Sequence, residues 1–240
     1  MNTLVAHDSP ARAVLFFARP PAEESRIKRV EKAEAIFALA RDRVLAAVDA
    51  LDDVALVVVG DLGSDARLPV GTRVMEQRGR GFGSKLSNAF TDVRALGYST
   101  VVAVGLDTPG LEHADLEAAF QALESHDAVL GPARDGGAYV IGARVEPSAL
   151  FAGVRWRSRH TASDLIRHGL ICLETEHADI DGRHALGALW READAELRAL
   201  LRQLITRPFV AIPLALPLPR QVTRGLDAPR GPPLRTASFA

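Results

Sequence analysis

Val104-Gly105-Leu106-Asp107-Thr108-Pro109-Gly110 ends an apolar run with a single carboxylate and then a Pro-Gly turn. A carboxylate delivered at the carboxyl end of a buried strand can hold a divalent cation, and oxygen-only coordination suits Mg²⁺ or Mn²⁺. Such an ion would bridge diphosphate oxygens and neutralise charge on a leaving group. The alternative is that Asp107 caps the helix that follows. No Lys or Arg adjoins it in sequence, so a metal is its most economical partner. Asp179-Ile180-Asp181 puts two more carboxylates on one side of an extended segment, because strand side chains alternate. They can meet one metal, or stand as two surface acids ahead of a helix.

Three further stretches carry chemistry. Between Arg19 and Arg29, the cations Arg19, Arg26, Lys28 and Arg29 flank a helix start, which is a phosphate site in principle. Glu23 and Glu24 would oppose an anion there, no glycine permits close backbone approach, and a solvated basic helix start is the plainer reading. Gly79, Gly81 and Gly83 form a loop that opens a helix and could wrap a base or ribose with backbone amides. Their Gly-x-Gly-x-Gly spacing matches neither a dinucleotide fingerprint nor a P-loop, and a ligand-free turn is the alternative. Gly131-Pro132-Ala133-Arg134-Asp135-Gly136-Gly137-Ala138-Tyr139 reads as a hairpin turn whose Gly136 and Gly137 could let a sugar or acceptor rest on the backbone. The seven histidines show no metal spacing, and Cys172, in an apolar stretch, is expected in the core.

The elements that must position these residues follow from periodicity. Residues 13–18, 54–59 and 100–104 are continuous apolar runs, as strands buried on both faces should be. Val30, Ala33, Phe37, Ala40, Val44, Val48 and Leu51 form one helical stripe, and Leu86, Phe90 and Val93 another. Leu116, Ala119, Phe120 and Leu123 mark a third helix, and Leu186, Leu189, Ala193, Leu197, Leu200 and Leu204 a last one. A short strand is expected around Val74, two more over 128–130 and 138–141, and a fourth over 170–173, with loop then helix over 158–168. The alternation predicts a three-layer α/β/α, Rossmann-like domain over 13–207 with a mostly parallel sheet and an antiparallel addition at Asp135-Gly136-Gly137. Ligands of such sheets bind beyond the carboxyl ends of the strands.

Residues 1–12 are expected as an N-terminal extension and 208–240 as a tail, since seven of the 14 prolines fall between Pro208 and Pro233. The chain has 240 residues, 48% hydrophobic and 25% charged, and a net charge of −1, so no global field draws it to nucleic acid or anionic membrane. The N-terminus lacks a basic region followed by an apolar core, and the longest apolar run near the C-terminus is too short for a span. With one cysteine and no disulfide, a reduced, cytoplasmic setting is expected.

In this order the motifs resemble the nucleotide-diphospho-sugar transferase superfamily, which has the GT-A fold. Within it they resemble the bacterial glycosyltransferase family often called radical-SAM/selenodomain-associated transferases. Phe17-Ala18-Arg19-Pro20-Pro21 is similar to that family's Phe-Ala-Lys-x-Pro, and Gly81 to Phe90 to its Gly-rich loop before a helix ending Ala-Phe. Gly105 to Gly110 matches Gly-x-Asp-x-Pro-Gly, and Gly131 to Tyr139 matches Gly-Pro-Ala-x-Asp-Gly-Gly-x-Tyr. Trp156-Arg157-Ser158 fits Trp-x-Ser, and Asp179 with Asp181 fits the terminal Asp-x-Asp. The likeness covers roughly residues 13–190. In the first loop Glu24 or a neighbour replaces the family's glycine, and Ile27-Lys28-Arg29 only partly matches its Lys-Thr-Arg.

A more distant likeness is to guanylyltransferases acting on phospholactate. It implies Asp107, Asp179 and Asp181 as ligands of Mg²⁺ or Mn²⁺. The resemblance as a whole implies Arg19, Lys28, Gly79, Gly81 and Gly83 at the nucleotide, Gly136, Gly137, Trp156 and Ser158 at the sugar or acceptor, and Asp107 and Asp135 at the reaction. Glycosyl transfer from a nucleotide sugar to a small-molecule acceptor is the leading expectation. Nucleotidyl transfer of guanylyl or cytidylyl type is the second, and a non-catalytic nucleotide-binding homologue the third. No nucleic-acid partner and no membrane span are expected, and the sequence leaves a homo-oligomer open.

Overall fold

The apolar runs of the chain assemble one seven-stranded sheet in a computed structural model that describes residues 12–204. The strands are β1 (Arg12–Ala18), β2 (Val54–Gly60), β3 (Arg73–Met75), β4 (Thr100–Val104), β5 (Ala128–Pro132), β6 (Ala138–Ala143) and β7 (Ile171–Cys172). Their order is β3-β2-β1-β4-β6-β5-β7. β1 pairs in parallel with β2 and β4, and β5 with β7, whereas β6 runs antiparallel to both β4 and β5. The antiparallel addition is therefore a strand inserted between two parallel ones. Apart from Arg12, the expected extension lies outside the described residues, as does the proline-rich tail.

The helices are α1 (Pro21–Ile27), α2 (Glu34–Asp49), α3 (Phe82–Ala95), α4 (His113–Ala122), α5 (Pro147–Phe151), α6 (Thr161–Arg167), α7 (Leu186–Glu192) and α8 (Ala195–Leu204). Successive residues of a strand face opposite sides of the sheet, so each continuous apolar run feeds two cores. Val14, Phe16, Val58 and Val102 pack with Phe37 and Val44 of α2, Leu116 of α4, Leu189 of α7 and Leu197 of α8. Leu15, Phe17, Val57 and Val101 pack on the other side with Leu86 and Phe90 of α3, Phe151 of α5 and Leu165 of α6. The result is three layers, α/β/α, as the periodicity predicts.

Three local expectations are corrected. The stripe beginning at Val30 enters its helix late: Arg29 and Lys32 have φ of 55° and 63°, so α2 starts only at Glu34 and Val30 and Ala33 precede it. Val30 and Ala33 are buried all the same. The last leucine stripe is broken, because Ala193 turns extended (φ −61°, ψ 135°) and Asp194 Oδ1 accepts a hydrogen bond from Leu197 N at 2.9 Å to start α8. Cys172 is exposed rather than in the core, since β7 is a two-residue strand at the sheet's edge. Among the described residues, no helix is long and apolar enough to cross a membrane.

Candidate active site

The strand order reverses between the neighbours β1 and β4: from β1 the chain steps outward through α2 to β2, and it crosses back through α3, on the other face, to reach β4. That reversal opens a crevice at the carboxyl ends of the two strands, where open α/β sheets bind ligands. The segment 19–33 after β1 and the turn 105–112 after β4 flank it. A Cβ at Gly105 would lie 2.8 Å from Asp107 Oδ1, so the glycine leaves that carboxylate oxygen its present position.

Asp107 does not cap α4. That helix starts at Glu112, whose side chain and Asp115 form a reciprocal capping box, with Glu112 N donating to Asp115 Oδ2 at 2.8 Å. The Glu-x-x-Asp spacing was visible in the sequence. Nor does Asp107 lack a basic partner: Lys28 Nζ lies 2.8 Å from its Oδ2 and also hydrogen-bonds Asp181 Oδ1. The backbone brings 179–181 alongside, as Ile180 N donates to Asp107 O at 2.8 Å while the Ile180 side chain is wholly buried in the core. Alternation then turns Asp179 and Asp181 to the cleft, and ligand oxygens of Asp107, Asp179 and Asp181 all lie within 4.8 Å of one another.

The segment ahead of this Asp-x-Asp is firmly anchored. His177 Nε2 is 2.9 Å from Asp115 Oδ2, and Tyr139 OH donates to Asp115 Oδ1 at 3.2 Å. Ala178 N donates to Glu192 Oε2 at 3.1 Å, and Glu192 pairs with Arg134 at 2.7 Å. Burial works against ionised Asp115, but its bonds from His177 and Glu112 N outweigh it and hold the carboxyl below its usual range.

The acidic cluster is under-supplied with positive charge. Burial, then the charges of Asp107, Asp135 and Asp181, push Asp179 up to about 8. Asp135 is also raised, by burial and by its hydrogen bond to Asp181, although Gly137 N donates to its Oδ1 at 2.7 Å. Asp181 is the opposite case: burial would raise it, but Lys28 and the Asp135 hydrogen bond hold it low. Glu24 is raised by burial and by Asp107, against the cations Lys28 and Arg19. Arg19 itself pairs with Glu24 at 3.0 Å.

The cleft has two adjoining lobes that share Arg19, Glu24, Phe82 and Asp107. One is largely apolar, with Phe17, Phe82, Leu86 and Tyr139 beside Gln77. The other holds Lys28, Asp107, Asp135, Asp179 and Asp181 against Trp156, Arg157 and Ser158. Arg19, Gly137, Trp156 and Ser158 thus line the cleft together with the carboxylates.

Gly79, Gly81, Gly83 and Gly136 do not line either lobe. Gly83 lies in the first turn of α3 under the indole of Trp156, where a Cβ would be 2.3 Å from Nε1. Gly136 (φ +89°) lets the backbone of Arg159 approach, a Cβ there falling 2.2 Å from its carbonyl oxygen. Both glycines serve the packing that places Trp156 and Ser158.

Gln77 and Arg157, each inside a motif singled out in the sequence but given no role of its own there, also line the cleft. Gln77 Nε2 donates to Ala18 O at 3.1 Å and Val59 O at 3.3 Å, tying together the ends of β1 and β2. Arg157 is exposed with φ of 56°, and its charge acts on Asp181.

With this geometry in view, known proteins offer a fold. A family model described as "uncharacterized protein conserved in bacteria (DUF2064)" matches residues 42–158. No curated protein matches the chain in sequence. Among solved structures, a candidate nucleotide-diphospho-sugar transferase of Desulfovibrio desulfuricans is similar with a TM-score of 0.64 and 24% identity, over 81% of this chain and 98% of that one. A cytidylyltransferase of Leptospira borgpetersenii gives 0.48 and 13%, over 81% and 93%. The Rv0371c protein of Mycobacterium tuberculosis, in complex with manganese, gives 0.47 and 15%, over 76% and 100%. The chain has the three-layer α/β fold of nucleotide-diphospho-sugar transferases.

Proposed function

We propose that this protein transfers a glycosyl group from a nucleotide-diphosphate sugar to a small acceptor, with a divalent cation held by Asp107, Asp179 and Asp181. The observation that carries this reading is the meeting of three carboxylates from two distant segments at the strand-end crevice, beside an apolar lobe. The donor set fits such an ion. All donors are carboxylate oxygens, which hard ions prefer, and among the described residues Asp179 receives no hydrogen bond or ion pair. When bound, the ion neutralises diphosphate charge as the leaving group departs. The motif resemblance to radical-SAM/selenodomain-associated transferases supports the same reading.

The chain's own residues have distinct tasks in it. The apolar lobe with Phe17, Phe82 and Gln77 takes the nucleoside. Trp156 and Ser158 bound the space for the sugar, and Gly137 lets it approach the backbone. Asp135 lines the same lobe and, in its ionised form, takes the acceptor's hydroxyl proton. Among the described residues, Arg19 and Lys28 are both engaged by carboxylates, which favours a diphosphate over a triphosphate that needs more free cations.

A panel of nucleotide sugars and nucleoside triphosphates, screened by thermal shift with and without Mn²⁺ and then by product analysis, tests the proposal. Mn²⁺-dependent stabilisation by a nucleotide sugar and release of a nucleoside diphosphate are expected. Release of pyrophosphate from GTP or CTP would establish nucleotidyl transfer instead. Nucleotide binding with no turnover across the acceptor panel would mark a non-catalytic homologue.

A further inference from the structure

Lys28 occupies the oxygens that a divalent cation needs. Its ammonium is 2.8 Å from Asp107 Oδ2 and hydrogen-bonds Asp181 Oδ1, bridging two of the three clustered carboxylates. Its side chain is only 10% exposed, so the bridge is set into the site rather than lying over it. A Mg²⁺-sized ion sits at about 2.1 Å from its ligands, and electrostatics prevents it and an ammonium from sharing one such pair of oxygens. The other oxygen of Asp107 is turned toward Gly105.

The ammonium's alternative positions are limited by its surroundings. Lys28 is the C-cap of α1, and its four-carbon stem can swing without moving the helix. The carboxylates around it are Glu24, Asp107, Asp135, Asp179 and Asp181. Arg19 is already held by Glu24, and Arg157 is exposed at the rim. A diphosphate entering the cleft therefore meets Lys28 as its nearest buried cation. An ammonium that leaves Asp107 and Asp181 for phosphate oxygens exchanges one charge-assisted contact for another.

We infer that Lys28 is a resident counter-ion that competes with the divalent cation for Asp107 and Asp181 and moves onto the diphosphate of the donor, so that donor entry clears the metal site. This rests on the metal reading proposed above and adds an order to it: the metal-free site is held by the chain's own cation, and the diphosphate draws that cation away.

Titration calorimetry of the full chain separates the two ideas, using Mn²⁺ alone and inorganic pyrophosphate alone on the parent, Lys28→Met and Lys28→Arg. Lys28→Met should bind Mn²⁺ about tenfold more tightly than the parent, because a competing charge is gone. The same variant should bind pyrophosphate about tenfold more weakly, having lost its phosphate partner. Lys28→Arg should stay close to the parent in both. Opposite signs in the two titrations are the signature, since damage to the fold would weaken both. If Lys28→Met melts early, Lys28→Gln, which keeps a polar head, replaces it in the same two titrations. Equal Mn²⁺ affinity in parent and variant overturns the competition while leaving the metal site standing. No Mn²⁺ binding in either overturns the metal reading itself. Pyrophosphate binding that is absent from the parent or unchanged in the variant overturns the transfer of Lys28 to the diphosphate.

Discussion

Asp164 and Asp179 are both acids drawn out of bulk water, and the fold treats them in opposite ways. Asp164, 4% exposed, accepts hydrogen bonds from Arg155 N at 3.0 Å and Arg155 Nε and Nη2 at 2.8 Å each, with Arg167 as a further donor. Asp179 faces three other carboxylates and, among the described residues, receives no such donor. A carboxylate whose task is to hold the chain is saturated by the chain. One whose task is to hold something else is left short of positive charge, at a cost the rest of the fold absorbs. Asp115 follows the first pattern: it ties the capping box of α4 to His177 and Tyr139, and so anchors the segment that carries Asp179.

Substitution should separate the two kinds most sharply at Asp164. Asp164→Ala removes the acceptor of the Arg155 backbone amide and of two guanidinium groups that are themselves more than half exposed, and should lower unfolding free energy by about 3 kcal/mol in urea titration. A loss below about 1 kcal/mol would dissolve the contrast. Asp179→Asn should do the reverse: a metal-free melting temperature at pH 8.5 that is unchanged or higher, with Mn²⁺ affinity down about a hundredfold, roughly 2.7 kcal/mol. A variant that unfolds instead would make Asp179 structural.

pH offers a gentler test. Asp179 titrates near 8 in the folded chain, against about 4 when unfolded. Between those values only the native state keeps the proton, so the stability from this group is full below about pH 4 and lost as pH rises through 8. Asp115 and Asp181, held low, act oppositely: their contribution is present above the ordinary carboxylate range and fails on acidification through their lowered values. Mn²⁺ must displace the Asp179 proton, so its affinity should climb between pH 6 and 8, by at most about tenfold per unit. Proton release seen as a buffer-dependent binding enthalpy would check this, and a flat profile would contradict it.

The smallest effect is expected from Asp107→Asn without metal. Lys28 keeps Asp181 as partner, and one member of a repelling group is neutralised, so the melting temperature should move by less than about 2 °C. A fall of many degrees would show that the Lys28–Asp107 pair holds the two loops together.

Much of the site could be located from sequence because it hangs on strand ends. Gly105 to Gly110 follows four apolar residues, Val101 to Val104, and could only emerge at the edge of a buried strand. The pair Asp179 and Asp181 was legible as one-sided, though not as facing Asp107. The glycine-rich stretch was harder. Gly79, Gly81 and Gly83 look like a ligand loop, yet Gly83 is dictated by the indole of Trp156, more than 70 residues on. Cys172 misled for a similar reason: an apolar pattern does not reveal whether a strand is central or at an edge.

What the sequence by itself determined is the layering. Continuous apolar runs demand strands covered on both faces, and stripes at steps of three and four demand helices to cover them, because both patterns follow from backbone geometry alone. Only the tertiary structure decided which charges meet. Lys28 reaches Asp107 across 79 positions, and Asp181 across 153, through loops whose course no periodicity encodes. Electrostatic energy depends on distance in space and on exclusion of water, and both are properties of the assembled crevice rather than of any segment that lines it.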